Sequence, residues 1–403
     1  MNIRSLGPGD DAGALSDLSR RAFGPIAAAS RPGWEADAGA AIRDGRYLAA
    51  FDGQRLVAAA RYHDMHQCWQ GRWMPMAGVA SVMVAPEDRG RGTGRALMTE
   101  VLGLIAQRGY PVSVLYPATS ALYRSLGWEI AGSSDSVTFP ARSVRSLVPP
   151  DSSLAGGNRA GGPILRRCGP DDVPGVLAVI RGVHETLRDS GPNLRDEQSV
   201  RRWLGDADRF CYLAPDGFLA YRWHRGNDEI LVERALAGSA ATTRAMWAIV
   251  ASHSTIAGTV RARLGPGDPV SLLTQEPDVQ LAGRRWWMLR VMDAAAAVAG
   301  RGFPPAAEAT LPLRLVDPAC PGNDGRWMLQ VADGKGVLAQ EAPAGAGRAA
   351  GPVALGPRGF AALYAGTAPA ALRRAGLMAG GDPASDAVLG TLFAASPFLP
   401  DDF

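Results

Sequence analysis

Apolar and polar positions along the chain alternate between two periods. Short apolar runs end at turn residues, and stretches with apolar side chains three and four apart follow them. Residues 79–86 read as a strand ending at Pro86, and a helix follows with Leu97, Met98, Val101, Leu102 and Ile105 on one face. Residues 111–116 (PVSVLY) read as another strand. Thr119 or Ser120 caps a short helix ending at Leu126, Gly127 supplies its terminating turn, and Trp128 resumes as strand. Asp52-Gly53 and Asp216-Gly217 each sit between apolar runs, as hairpin turns do. Past Arg285 the pattern predicts a strand over 286–291, an alanine-rich helix over 293–300, and strands over 309–316 and 327–332, the latter turning at Asp333-Gly334. Helices near 357–365 and 368–375 follow, then an amphipathic helix and a short tail.

The chain also resembles itself. Ile3-Arg4-Ser5-Leu6-Gly7-Pro8 with Asp10-Asp11 recurs as Leu165-Arg166-Arg167-Cys168-Gly169-Pro170 with Asp171-Asp172. Tyr47-Leu48-Ala49, Asp52-Gly53 and Arg61-Tyr62-His63 recur as Tyr212-Leu213-Ala214, Asp216-Gly217 and Arg222-Trp223-His224. Two matches in the same order point to a duplication. Between the copies, residues 147–163 are rich in Pro, Gly, Ser and Asn, a linker composition. The division is therefore 1–146, a linker at 147–163, 164–286 and 287–403, in a mixed α/β (α+β) architecture.

Between the strand at 79–86 and its helix lies Arg89-Gly90-Arg91-Gly92-Thr93-Gly94. A glycine turn opening a helix offers unpaired N–H groups and the positive dipole end to an anion, and arginines add charge-assisted donors suited to a diphosphate. The spacing fits neither a P-loop, which needs Lys-Ser/Thr after the last glycine, nor a G-x-G-x-x-G fingerprint. The corresponding stretch of the second copy, residues 235–244 (ALAGSAATTR), keeps one glycine and no arginine in the turn. That copy is expected to keep the fold without the anion site.

Arg89 to Gly94 resembles the acetyl-CoA loop, R/Q-x-x-G-x-G/A, of the GNAT (Gcn5-related) N-acetyltransferases. Tyr123-Arg124-Ser125-Leu126-Gly127-Trp128 matches their Y-x-x-x-G-(F/Y/W) signature. The three-part plan, the run from Trp287 to Asp293 and the terminal Phe403 are similar to the Eis (enhanced intracellular survival) acetyltransferases. These carry a GNAT domain, a degenerate second GNAT domain and a sterol-carrier-like domain.

The resemblance implies acetyl-CoA as co-substrate, held by Val82, Met83, Val84, Arg89, Gly90, Arg91, Gly92, Thr93, Gly94, Arg95, Ala118 and Thr119. The Val84 N–H is expected to face the thioester oxygen. Tyr123 is expected to act as general acid, a phenol being able to protonate the leaving thiolate. The Phe403 carboxylate is expected to help deprotonate the amine, usually through water. Trp34, with Glu35 and Asp37 beside it, Ser81 and Asp402 are the substrate-side candidates, Asp401 and Asp402 attracting a cationic amine. Ser81 stands where a bulky aromatic is usual, which leaves the acceptor open.

Composition adds limits. Apolar residues form 47% and charged residues 20% of 403, and the formal charge is +3, with no dense basic stripe for nucleic acid. Cys68, Cys168, Cys211 and Cys320 lie far apart, which suits a reducing cytoplasm rather than a disulfide framework. His63, His66 and Cys68 fall on opposite faces of a predicted strand, so no metal is expected. No signal peptide or membrane-length apolar run is evident. The favoured acceptors are cationic multi-amine small molecules resembling aminoglycosides. The alternatives are a biosynthetic or self-resistance acyltransferase, a protein lysine acetyltransferase and a non-catalytic carrier of apolar ligands. A homo-oligomer, hexameric by resemblance, is expected.

Overall fold

The computed structural model describes residues 1–147, 165–274, 278–341 and 351–403. Apart from Leu147, the predicted linker lies outside them. The first copy runs β1 (Asn2–Ser5), α1 (Ala12–Phe23), α2 (Arg31–Arg43), β2 (Tyr47–Asp52), β3 (Arg55–Trp69), β4 (Arg72–Val84), α3 (Thr93–Gln107), β5 (Val112–Leu115), α4 (Ser120–Arg124) and β6 (Glu129–Pro140). The second runs β7 (Arg166–Cys168), α5 (Val173–Leu187), β8 (Ser190–Leu194), α6 (Glu197–Leu204), β9 (Phe210–Ala214), β10 (Gly217–His224), β11 (Glu229–Ala237), α7 (Ala240–Ser252), β12 (Thr259–Arg263), α8 (Val270–Leu273) and β13 (Gln280–Val291). The third part holds α9 (Ala294–Gly300), β14 (Ala309–Leu315), β15 (Gly325–Ala332), β16 (Lys335–Gln340), β17 (Val353–Leu355), α10 (Pro357–Tyr364), α11 (Pro369–Arg374), β18 (Met378–Ala379) and α12 (Pro383–Leu392).

The duplication is visible in the strand pairings. In each copy three antiparallel pairings lead to one parallel pairing: β1–β2–β3–β4 then β5, and β7–β9–β10–β11 then β12. The copies share one continuous sheet, ordered β1-β2-β3-β4-β5-β13-β6-β12-β11-β10-β9-β7, with β8 on β3. That order is palindromic about the β13–β6 pair. Each copy gives its last strand to its twin: β13 pairs with β5, and β6 with β12. The strand predicted at 286–291 extends back to Gln280 because residues 280–287 find a ladder on β6. Hydrogen bonding to the other copy fixes that register, and no pattern local to 280–285 announces it.

Even-numbered side chains of β3 face α3. Ala58, Ala60 and Tyr62 pack with Leu97, Met98, Val101, Leu102 and Ile105, all buried as the 3.6-residue spacing predicts. The odd-numbered face of the same sheet region carries Tyr47, Ala49, Ala59 and Met83 under α1 and α2. Further along β3 that face holds Met65 and Trp69, packed into the third part. There a five-stranded sheet, β16-β15-β14-β17-β18, packs on short helices through Trp327, Leu329, Phe360, Leu363, Leu372 and Leu389.

The tail after α12 leaves the third part and threads between the copies. The Phe398 N–H donates to Ser190 O at 3.0 Å, and the Leu399 N–H to Ser133 O at 3.2 Å.

Candidate active site

β4 and β5 run in parallel register from Met76–Val112 to Val79–Leu115 and then part. Just beyond the parting, β4 bulges. Ala59 pairs with Met83 but Arg61 with Ala80, and Ser81 sits at φ +52°. The Ala85 N–H bonds Val57 O at 2.8 Å, so by antiparallel alternation the Val84 N–H and C=O turn away from β3, toward the opened side. The Val84 carbonyl accepts from Arg89 Nε at 3.3 Å.

The loop then delivers a helix start suited to an anion. Gly92 is the N-cap of α3, in the left-handed region at φ +81°, with no capping side chain. The Ala96 N–H is the one that closes onto Gly92 O (3.0 Å), so the amides of Thr93, Gly94 and Arg95 lack intrahelical acceptors. A Cβ at Gly94 would stand 3.4 Å from Val84 Cγ2 and 3.8 Å from Leu122 Cδ2, in van der Waals contact with both. The end of β4, the start of α3 and the helix bearing Tyr123 thus meet at one residue. Arg91 is 72% exposed, its nearest carboxylate Asp88 at 3.7 Å, while Asp88 is bound by Arg55 at 2.7 Å. The loop's second arginine is therefore open to an incoming diphosphate, and the amides and guanidinium groups fit one.

Tyr123 is buried on α4, edge-on to Trp128 at 6.3 Å, and burial pushes its phenol up to about 12. Gly127, at φ +94°, follows the helix as predicted. Thr119 is the N-cap of α4, but its side chain makes no capping bond. Ala118 and Thr119 are exposed between β5 and α4.

The fold carries Phe403 to the parted strands. Its ring lies against Gly78 of β4, 3.0 Å from where a Cβ would stand, and near His63 (6.3 Å) and Tyr116 (5.6 Å). The tail's acidic residues are held by arginines. Arg234 pairs with Asp401, and Asp402 takes Arg263 at 2.8 Å and Arg285. Asp401 and Asp402, expected to draw in a cationic amine, are thus each paired with arginines that hold the tail. Asp37 is likewise engaged, by Arg195 at 2.8 Å and by Arg202. Trp34 packs partly buried against the α1–α2 cluster, and Glu35 is exposed.

In the second copy the corresponding helix start is filled. Ser239 caps α7 from its side chain, accepting from the Thr242 N–H at 3.2 Å, and the Thr242 hydroxyl bonds Asp216. A carboxylate beside a capped helix end repels a phosphate.

Sequence reasoning missed Arg61, Arg195 and the tail-binding Arg234, Arg263 and Arg285. Arg61 had a signal, a charged residue within the apolar run from Leu56; the others come together only through folding. His63 lies on the odd face of β3 beside Phe403, and burial together with Arg61, Arg195 and Arg46 keeps its imidazole well below its ordinary pKa. Among the described residues no group of three or more His, Cys, Asp or Glu side chains is placed to hold a metal, and no helix is long and apolar enough to cross a membrane.

Comparisons with known proteins agree with this geometry. Residues 3–131 and 191–291 each match a model of an acetyltransferase (GNAT) domain, and 294–400 match a sterol carrier protein domain. The crystal structure of a GCN5-related N-acetyltransferase from Kribbella flavida is 41% identical, covers all of this chain and 98% of that one, and superposes with a TM-score of 0.90. The N-acetyltransferase Eis of Mycobacterium bovis is 29% identical over 318 residues, 74% of this chain and 73% of that protein. Eis1 of Mycobacterium abscessus shares the fold end to end, at 23% identity and a TM-score of 0.77. The chain belongs to the GCN5-related N-acetyltransferases and has the three-part plan of the Eis type.

Proposed function

We propose that the protein transfers an acetyl group from acetyl-CoA directly to the nitrogen of a small-molecule amine, with both substrates bound together. The meeting at Gly94 of the anion-accepting helix start, the outward-turned end of β4 and the Tyr123 helix supports this reading most strongly. Acetyl-CoA supplies an electrophilic thioester carbonyl. The amides of Thr93, Gly94 and Arg95, with Arg89 and Arg91, hold its diphosphate, and Val82, Met83 and Val84 line the pantetheine arm as an added strand would. The Val84 N–H donates to the carbonyl oxygen as negative charge develops there. Holding amine and thioester together supplies much of the rate.

The Phe403 carboxylate takes the amine proton through water, and Tyr123 gives the proton on its Oη to the departing sulfur. With its pKa raised, Tyr123 keeps that proton throughout the physiological range. Trp34 and Ser81 border the acceptor side.

Multiply cationic amines such as aminoglycosides are the acceptor class that the Eis resemblance carries, and a lysine side chain of a protein is a second. The carrier reading is weakened by the large side chains packed between the sheet and helices of the third part. The reading extends to a cytoplasmic homo-oligomer, hexameric by resemblance, whose mass light scattering would give.

Release of CoA thiol on mixing with acetyl-CoA and a panel of amines and lysine peptides tests the reaction. Calorimetry with CoA tests the cradle. Arg91→Glu is expected to weaken binding by about tenfold or more with the fold intact, because the side chain is solvent-facing and its loss removes a charge-assisted contact. No thiol release with any amine, together with unchanged CoA affinity in Arg91→Glu, defeats the proposal.

A further inference from the structure

Beside Phe403, the odd-numbered face of β3 buries a guanidinium that no carboxylate among the described residues pairs with. Arg61 is 5% exposed, and its Nε and Nη1 have no hydrogen-bond partner among the described residues; it makes no ion pair there either. His63, two residues on and 9% exposed, has its Nε2 equally unpartnered. Arg61 lies between Tyr47 of β2 and Ala80 of β4, next to the bulge at Ser81, while His63 lies opposite Gly78, where the Phe403 ring sits. The charged groups that Arg61 faces are Asp37, Arg195 and Arg46. The same three, with His63, line a cleft of about 660 Å³ between α2, β3 and the start of α6; Arg61 is buried beside these residues and does not itself line the cleft.

The carboxylates at hand do not neutralise this cluster. Asp37 is shared by Arg195 and Arg202, and Asp44 is bound by Arg46 at 2.6 Å. The remaining acids of the cleft, Glu35, Asp64, Asp196 and Glu197, are exposed on its rim. Asp196 is also the N-cap of α6. A buried guanidinium with no anion carries a desolvation cost that an incoming anion relieves. Buried polar atoms left unpaired on His63, which lines the cleft, and on Arg61 beside it call for a partner.

We propose that Arg61, backed by Arg195 and with the His63 imidazole beside it, is an anion subsite for the acceptor, so that the preferred acceptor is a zwitterion: a primary amine carrying a carboxylate or a phosphate. The amine end lies toward the Phe403 carboxylate and the acidic end on Arg61. This rests on the transferase reading and specifies its substrate class. It disfavours acceptors that would place a second ammonium beside Arg61.

Thiol-release kinetics on matched acceptors test it: lysine against cadaverine for a carboxylate, O-phosphoethanolamine against ethanolamine for a phosphate, and kanamycin as the polycation. The charged member of at least one pair is expected to have the higher kcat/KM by about tenfold or more, the scale of one charge-assisted contact. The pair that shows it identifies the anion. Arg61→Met is expected to erase most of that ratio, with Arg61→Lys restoring part of it. The melting temperature of Arg61→Met without ligand is expected to stay level or rise, since an uncompensated buried charge is removed.

Transfer to cadaverine, ethanolamine or kanamycin in preference to the zwitterions overturns the subsite and leaves the transferase intact. So does an Arg61→Met variant that lowers all acceptors equally, the result expected if Arg61 serves the terminal carboxylate. No transfer to any of these acceptors overturns the subsite, while CoA affinity in Arg91→Glu separately decides the transferase reading.

Discussion

At the scale of single residues, the chemistry depends on groups kept in one protonation state by their surroundings. The Tyr123 hydroxyl makes no side-chain hydrogen bond among the described residues, and burial alone raises the phenol to about 12. It is thus an acid that stays protonated at every working pH. Tyr123→Phe is expected to keep CoA affinity by calorimetry while kcat falls by about tenfold or more, the contribution of a positioned general acid. The wild-type profile of kcat against pH should show no falling limb from this group up to about pH 9.5, since the phenol ionises above that. Tyr123 was legible in the sequence because the signature around it is local. Arg61 was legible only as an oddity: its lack of a direct ion pair depends on α2 and on the chain after β8, both remote from β3 in sequence.

Among elements, the β4–loop–α3 unit follows from local pattern. Spacing alone predicts the buried face of α3, and glycine chemistry predicts the uncapped helix start. The bulge at Ser81 has no comparable signal, since one extra residue in a ladder shows only when the partner strand is in place. The start of α8 offers a test of burial at an element end. Asp268 accepts from the Val270 N–H at 2.9 Å, yet burial pushes its carboxyl up to about 6. The folded state therefore holds this proton more tightly than the unfolded chain does. Its contribution favours folding as pH falls through about 6, is complete below the unfolded value near 4, and is lost as pH rises. Asp268→Asn is expected to raise the melting temperature by roughly 2–4 °C at pH 8 and to change it little at pH 4. Thermal denaturation at the two pH values checks the sign.

Over the whole molecule, the two copies are locked by exchanged strands, and the tail is threaded between them. Phe403 therefore reaches the first copy only when all three parts are assembled. Deleting Phe403, or extending the chain beyond it, is expected to lower kcat by about tenfold or more with CoA affinity and melting temperature retained. Asp401, Asp402 and the backbone contacts of residues 398 and 399 still hold the tail in that variant. Asp402→Ala, which frees Arg263 and Arg285, is expected to raise KM for the acceptor more than that for acetyl-CoA, because the loosened segment borders the acceptor side. Steady-state kinetics with each substrate varied in turn separates the two.

The sequence by itself determined the glycine-rich turn before α3, the Tyr123 helix, the duplication and the absence of that turn from the second copy. Each rests on residues adjacent in the chain, where periodicity, turn chemistry and capping act directly. Tertiary structure alone decided where each copy's last strand enters the shared sheet, that arginines of the second copy take up the tail's carboxylates, and that Arg61 is buried without an ion pair. Those outcomes depend on which charges meet after distant segments pack, and the cost of leaving a buried charge unpaired is set by neighbours that local pattern does not name.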